Sequence, residues 1–405
     1  MLSFFPTPYP DETWYSIIGR YHIRSGNLYP IRTMLELFGK EGENVISLIP
    51  NNSMIWLLSK LPEGFISAED MILNHTLFKF ATRFIPYEEK IQYLEEIKKG
   101  ESHFPSKICQ GAQKIERLKY CPFCLKEDVE TYGESYWHLK HQIPLVTTCY
   151  KHKCRLITKE FSKKQGRYHF WYPGENRINE IKAEPLEHEK TLTKIAVRYQ
   201  ELPLDVCPKK EYNNLYLGLL NAGYGMVWNS GTMIMNKKKL TEKLCKVYGT
   251  EQIKEIFHVT DLKQILFQQI QKWYYKSPEK YLLLATLIRQ DPEVTFKEEV
   301  SYQLAEEFLK LSKDSKFRTK EYVAEKLNVK TSYLNTLAEI VGIKPFWEDK
   351  IVKEEECVIM QIRTTQEERE RIKKYAKEHG FTYLSHFIKY CIETVMIEGH
   401  KKNGG

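Results

Sequence analysis

Seven cysteine and histidine side chains able to bind a metal lie from Lys119 to Cys154: Cys121, Cys124, His138, His141, Cys149, His152 and Cys154. A tetrahedral site needs four, so the spacing has to select among them. Cys121-x2-Cys124 places two thiolates on one tight turn, stiffened by Pro122. Cys149-x2-His152 repeats that spacing after 24 intervening residues. The expected set is Cys121, Cys124, Cys149 and His152 around Zn2+, a closed Cys3His site that holds a fold. Cys154 is the main rival to His152. His138 and His141, at i and i+3 on an expected helix, are read as core hydrogen-bonding groups. A zinc deaminase pairs His-x-Glu with Pro-Cys-x-x-Cys and keeps an open coordination position. This chain has Cys-Pro-x-Cys, no upstream His-x-Glu and four ligands, so no catalytic residue is expected and the protein is read as a non-enzyme.

The elements that must position this site come from a chain of 405 residues, enough for two to four domains. A 42% hydrophobic share with 28% charged residues is globular, and the net charge of +8 suits a polyanion partner. The clustered cysteines, the start without a basic leader and the lack of a long apolar run fit a reducing, intracellular setting with no membrane span. Between Lys151 and Arg167 seven basic residues face Glu160 alone, a net +6. Lys163, Lys164 and Arg167 of that strip are candidate phosphate contacts.

The start, FFPTPYPDETWYSIIGRYHIRSGN, reads as a proline-rich arm entering a helix capped by Asp11, with Trp14, Ile17, Ile18 and Tyr21 on its apolar face. The TTC and RLIT pieces beside the last ligands read as short strands. Beyond about Thr191 the pattern is helical: LYLGLLNAGYGMVW stopped by glycines, KKKLTEKLCKVYG closed by Gly249, and SPEKYLLLATLI as a buried helix opened by Pro278. No Walker Gly-x4-Gly-Lys-Ser/Thr occurs, which argues against an ATPase.

Arg318 to Ile343 matches a helix-turn-helix. Val323, Ala324 and Leu327 form the first helix's core face, Asn328 takes the turn, and Val329, Leu334 and Leu337 pack the second helix back. Ser332, Tyr333, Asn335 and Thr336 then lie on the exposed side that such a helix presents to the major groove. Further on, Met360 and Ile362 alternate with Ile359, Gln361 and Arg363 as a short strand. Thr365 caps a helix with Ile372, Tyr375 and Ala376 inside, Gly380 closes it, and Thr382 caps a second helix bearing Phe387, Ile388 and Ile392. This tail resembles the ribbon-helix-helix family. That resemblance implies a homodimer whose paired strands set Ile359, Gln361 and Arg363 against DNA.

FPTPYPDETWYSIIGRYHIRSGN followed by CPFCLKEDVETYGESYWHLKHQIPLVTTCYKHKCRL resembles the TniQ/TnsD family of transposition target selectors, over roughly the first 155 residues. The resemblance implies zinc ligands at Cys121, Cys124, Cys149 and His152. It implies a target-site selector of a Tns-type transposon that binds attachment-site DNA and recruits an AAA+ regulator (TnsC-like) and transposase. The alternatives are a TniQ-type adaptor to a CRISPR guide-RNA complex and a zinc-containing DNA-binding transcriptional regulator. The chain departs from the family at Leu145, where glycine usually follows Gln-x-Pro. The expected architecture is mainly α and multidomain: a TniQ-like domain over 1–160 with its zinc finger at about 119–156, a helical TnsD-like region over 161–312, a helix-turn-helix over 313–350, and a ribbon-helix-helix-like module over 357–400.

Overall fold

The structure, a computed structural model, describes residues 2–402 except 3, 40–46, 102–116, 162–169, 171, 175–183, 209–213, 228–232, 266, 268–276, 297–301, 314–318, 342 and 348–363. The described residues are mainly α-helical, as the apolar periodicities predict. They divide into two compact units, one of residues 1–226 and 234–298, the other of residues 227–233 and 299–405.

The first unit opens on α1 (Trp14–Ser25), which buries Trp14, Ile17, Ile18 and Tyr21. Its cap is Thr13, whose hydroxyl accepts from Ser16 N, and not Asp11. Asp11 stands at φ 60 because its carbonyl and carboxylate serve another segment, described below. Gly26, at φ 73, ends the helix, as its αL geometry requires. There follow α2 (Pro30–Phe38), α3 (Asn52–Leu58), α4 (Ala68–His75), α5 (Phe78–Ala81) and α6 (Tyr87–Lys98). Next come β1 (Arg117–Tyr120), α7 (Pro122–Tyr132), α8 (Leu139–Gln142) and β2 (Ile157–Glu160). β1 and β2 pair antiparallel, with Tyr120 opposite Ile157, so the two ends of the cysteine segment are tied together. Of the expected TTC and RLIT strands, Thr148 and Arg155 form one bridge and only the last two residues of RLIT enter β2.

The helices α9 (Glu187–Glu201), α10 (Asn214–Leu219), α11 (Lys237–Tyr248), α12 (Thr250–Phe257), α13 (Pro278–Ile288) and α14 (Pro292–Thr295) complete this unit. α13 buries Pro278 through Thr286 continuously, Glu279 and Lys280 included, and so is the buried helix its sequence indicates. α9 is locked at its C-terminal end by Arg83. The buried guanidinium donates to the carbonyls of Tyr199 at 2.8 Å, Leu202 at 2.6 Å, Pro203 at 2.8 Å and Val206 at 2.7 Å. Tyr199 lies in the last helical turn, whose carbonyls lack intrahelical partners, and a planar fork of five donors can reach all four oxygens of this end and its exit turn.

The second unit contains α15 (Tyr302–Lys313), α16 (Lys320–Lys326), α17 (Tyr333–Val341), α18 (Gln366–Glu378) and α19 (Leu384–Lys402). α16 and α17 are joined by a tight turn with Asn328 at φ 52, the residue the sequence assigns to it. Val323, Ala324, Leu327, Leu334 and Leu337 are all buried between them. Thr365 caps α18 with a reciprocal Glu368 bond, and Gly380 follows it at φ 89. Two expectations fail in this hairpin. Tyr375 points outward, half exposed, and stacks on His379 at 3.9 Å. α19 begins at Leu384, and Thr382 instead meets the Thr319 hydroxyl at 2.8 Å. A Cβ on Gly380 would stand 3.1 Å from the Tyr322 ring, so the hairpin turn packs directly on α16.

Candidate metal centre

The two halves of the centre come from different local structures. Cys121 ends the extended β1 segment and Pro122 starts α7, so Cys124 projects from the first helical turn towards Cys121. Cys149 and Cys154 sit opposite one another in a short hairpin, with Cys149 N donating to Cys154 O at 2.8 Å and Leu156 N to Thr147 O at 2.9 Å. Lys153 takes φ 56 at the hairpin turn, which brings His152 back over Cys149. The His152 amide donates to Cys149 Sγ at 3.3 Å.

One nitrogen and three sulfurs converge. His152 Nδ1 lies 3.5 Å from Cys121 Sγ, 3.3 Å from Cys124 Sγ and 3.7 Å from Cys149 Sγ, and Cys124 Sγ lies 3.7 Å from Cys149 Sγ. Metal–sulfur bonds of about 2.3 Å and a metal–nitrogen bond of about 2.0 Å in a tetrahedron give edges of about 3.8 and 3.5 Å, so the donors fit such a centre. All four ligand atoms lie within 4.8 Å of one another. Thiol hydrogen bonds from Cys124 and Cys149 hold the Cys121 sulfur far down, as a thiolate. The arrangement has the four donors expected from the spacing, and Cys154 stands beside them: its sulfur is 3.4 Å from Cys121 Sγ, placed to donate a weak S–H bond to that ligand. Such a closed set of soft donors can staple a fold but offers no coordination position for a substrate.

Sequence reasoning missed the group that orients the histidine. Glu127, one turn beyond Cys124 on α7, accepts from His152 Nε2 at 3.1 Å. That bond leaves Nδ1 free of its proton and aimed at the sulfurs. Lys151, 2.6 Å from the other oxygen, and His152 hold the Glu127 carboxyl below the ordinary carboxylate range. The i+3 position after Cys124 was the available signal.

His138 and His141 stand outside the metal set. His138 Nε2 is 2.9 Å from Asp128 Oδ2, its Nδ1 is 3.7 Å from Asp11 Oδ2, and Tyr136 stacks on its ring at 4.3 Å. Burial pushes its pKa down, but the two carboxylates outweigh that and carry it up to about 9. His141 is fully buried and its ring lies 5.0 Å from that of His138. Gln142 acts as a piece of strand: its oxygen accepts from Lys119 N at 2.9 Å and its amide donates to Lys119 O at 2.7 Å. Lys119 in turn donates to the carbonyls of Ile143 and Val146, on either side of Leu145 at φ 67.

The proline-rich arm closes this structure. Thr13 N donates to Trp137 O at 2.9 Å and Leu139 N to Asp11 O at 2.6 Å, with Glu12 bridged to His138. Behind them Arg20 joins the buried Glu12 at 2.7 Å to Glu134 at 2.8 Å, with its guanidinium 3.5 Å over the Tyr9 ring. The two sequence motifs are thus opposite sides of one interlock, whose outer edge is the metal hairpin.

Residues 3–156, which hold the arm and the Cys3His hairpin, match the TniQ family model. The chain is similar to the transposon Tn7 transposition protein TnsD of Escherichia coli, with 26% identity over 178 residues, 43% of this chain and 35% of that protein. The match therefore spans about a third of the relative's length.

The other candidate residues fall in two groups. Ser332 and Asn335 are exposed on or beside α17, with Tyr333 and Thr336 half-buried next to them. Lys163, Lys164, Arg167, Ile359, Gln361 and Arg363 lie outside the described residues. Among the described residues no helix is long and apolar enough to cross a membrane.

Proposed function

We propose that this chain is the target-site selector of a Tn7-type transposon, a non-enzymatic protein that binds double-stranded attachment-site DNA and recruits an AAA+ regulator and, through it, the transposase. The observation that carries this reading is the TniQ domain with its arm, interlock and Cys3His donors complete. Zn2+ is the ion that suits three thiolates and one imidazole in a closed tetrahedron. When bound it crosslinks the α7 turn to the Cys149 hairpin and fixes the surface the domain presents to its partners.

DNA reading is assigned to the second unit. This assignment is supported by the exposure of Ser332 and Asn335 and the partial exposure of Tyr333 and Thr336 opposite the buried α16–α17 contacts, the side a recognition helix would turn to base edges. The tail is assigned to homodimerisation: in α18 only Ala376 is buried, while Phe387, Ile388, Cys391 and Ile392 of α19 stay partly exposed. A 19-residue helix with apolar positions this open wants a partner. The test is a transposition assay with the regulator and transposase held constant. Insertions concentrate at one locus with the intact chain and scatter or vanish with Cys124→Ser. An unchanged insertion pattern without the chain would refute the proposal.

A further inference from the structure

Helix α11 breaks two local rules of helix sequence at once. Its first turn carries Lys237, Lys238 and Lys239 and no acid, although the positive end of the helix dipole favours acids there. Lys239, Lys243 and Lys246 then follow at i, i+4 and i+7, a spacing that sets like charges side by side on one face. Over the whole helix five lysines stand against Glu242. The opposite face is ordinary core, with Leu240, Thr241 and Leu244 buried, so the helix is firmly seated and its lysine stripe has a fixed direction.

The stripe continues beyond the helix. Lys237 reaches the carbonyl of Lys263, bringing that exposed lysine to the same end of α11. Lys239 donates to Gly223 O at 2.9 Å and sits 5.7 Å from the centre of the half-buried Tyr224 ring. The result is an exposed ridge of Lys238, Lys239, Lys243, Lys246 and Lys263. The three aligned lysines span about 10 Å at 1.5 Å per residue, a run of charge matched by a chain of phosphates rather than by a single acidic side chain. Local conflicts of this kind mark functional surfaces, where a partner supplies the missing charge.

We propose that this ridge on α11 is a second, sequence-independent contact with the phosphate backbone of duplex DNA. It rests on the reading of the chain as a DNA-binding target selector, and adds to it a contact that supplies affinity without specificity. Lysines act here as point charges that displace condensed cations, so their signature is the salt dependence of binding and not base preference.

The experiment measures Kd for linear duplexes across a potassium chloride series, using the full-length metal-loaded protein, Lys243→Ala with Lys246→Ala, and Lys254→Ala as the control. Lys254 lies on α12, paired with Glu251 at 2.9 Å. The double variant is expected to flatten the slope of log Kd against log salt by about 1.8, at about 0.9 per lost phosphate contact. The loss is the same on preferred and unrelated sequences, while the Lys254 variant keeps the wild-type slope. Metal content and thermal midpoint of each variant exclude misfolding, and Lys243→Arg with Lys246→Arg restores the slope. A double variant with the wild-type slope overturns the ridge contact while leaving target recognition standing. A flattened slope in a protein with no sequence preference supports the ridge and removes the target-selector reading. Flattening seen with duplex RNA but not with DNA overturns the proposal, as does a wild-type protein that binds no duplex.

Discussion

His152 and Glu127 form a carboxylate–imidazole pair, Nε2 to Oε1 at 3.1 Å, that turns Nδ1 towards three cysteine sulfurs. The glutamate touches no ligand position itself, yet it sets which ring nitrogen is available. Partners of this kind alter metal affinity by about 10- to 100-fold. Glu127→Ala is expected to weaken the bound metal within that range, and Glu127→Gln to weaken it less. Competition against a chromophoric chelator measures both.

Leu145 at φ 67 is a branched side chain in the left-handed region, held there by Lys119 bonding to the carbonyls of Ile143 and Val146. A non-glycine residue pays roughly 1–2 kcal/mol for that conformation. Glycine recovers most of it and gives back part through the freer unfolded chain. Leu145→Gly is expected to raise stability by about 1 kcal/mol, read as a higher denaturation midpoint with unchanged metal content.

His138 stands between Asp128 and Asp11 with its pKa raised to about 9. A raised folded-state pKa stabilises the protein fully below the ordinary histidine value of about 6.5 and ceases to do so as pH rises through 9. His138→Gln is therefore expected to cost stability at pH 6 and progressively less towards pH 10. Paired thermal melts across that range measure the closing gap, and a gap independent of pH would contradict the charged assignment.

Among the described residues the α18–α19 hairpin leaves Ile388 half-buried and Ile392 exposed on α19. Ile388→Lys is expected to convert a dimer to a monomer in sedimentation experiments without changing the metal content. A monomeric wild-type protein at micromolar concentration would refute dimerisation through the tail.

The helices and the Cys3His set were legible because each rests on a periodicity or spacing within one segment. Val323, Leu334 and Asn328 took their expected places for that reason. Asp11 did not: the arm's carbonyls are claimed by Leu139, so the chain turns at Asp11 and the cap falls to Thr13. Thr382 was likewise drawn to Thr319, more than sixty residues away. Glu127 escaped notice because its partner arrives only when the Cys149 hairpin folds over α7. Leu145 was noticed as a departure from the family pattern, but only the backbone angle gave that departure an energy.

The most direct test of the central claim is selection of bound fragments from fragmented genomic DNA by the purified, metal-loaded chain, alongside Asn335→Ala. The wild-type protein is expected to enrich one attachment-like sequence, and the variant to show relaxed preference at a single base pair. Recovery of fragments without any enriched sequence would contradict it.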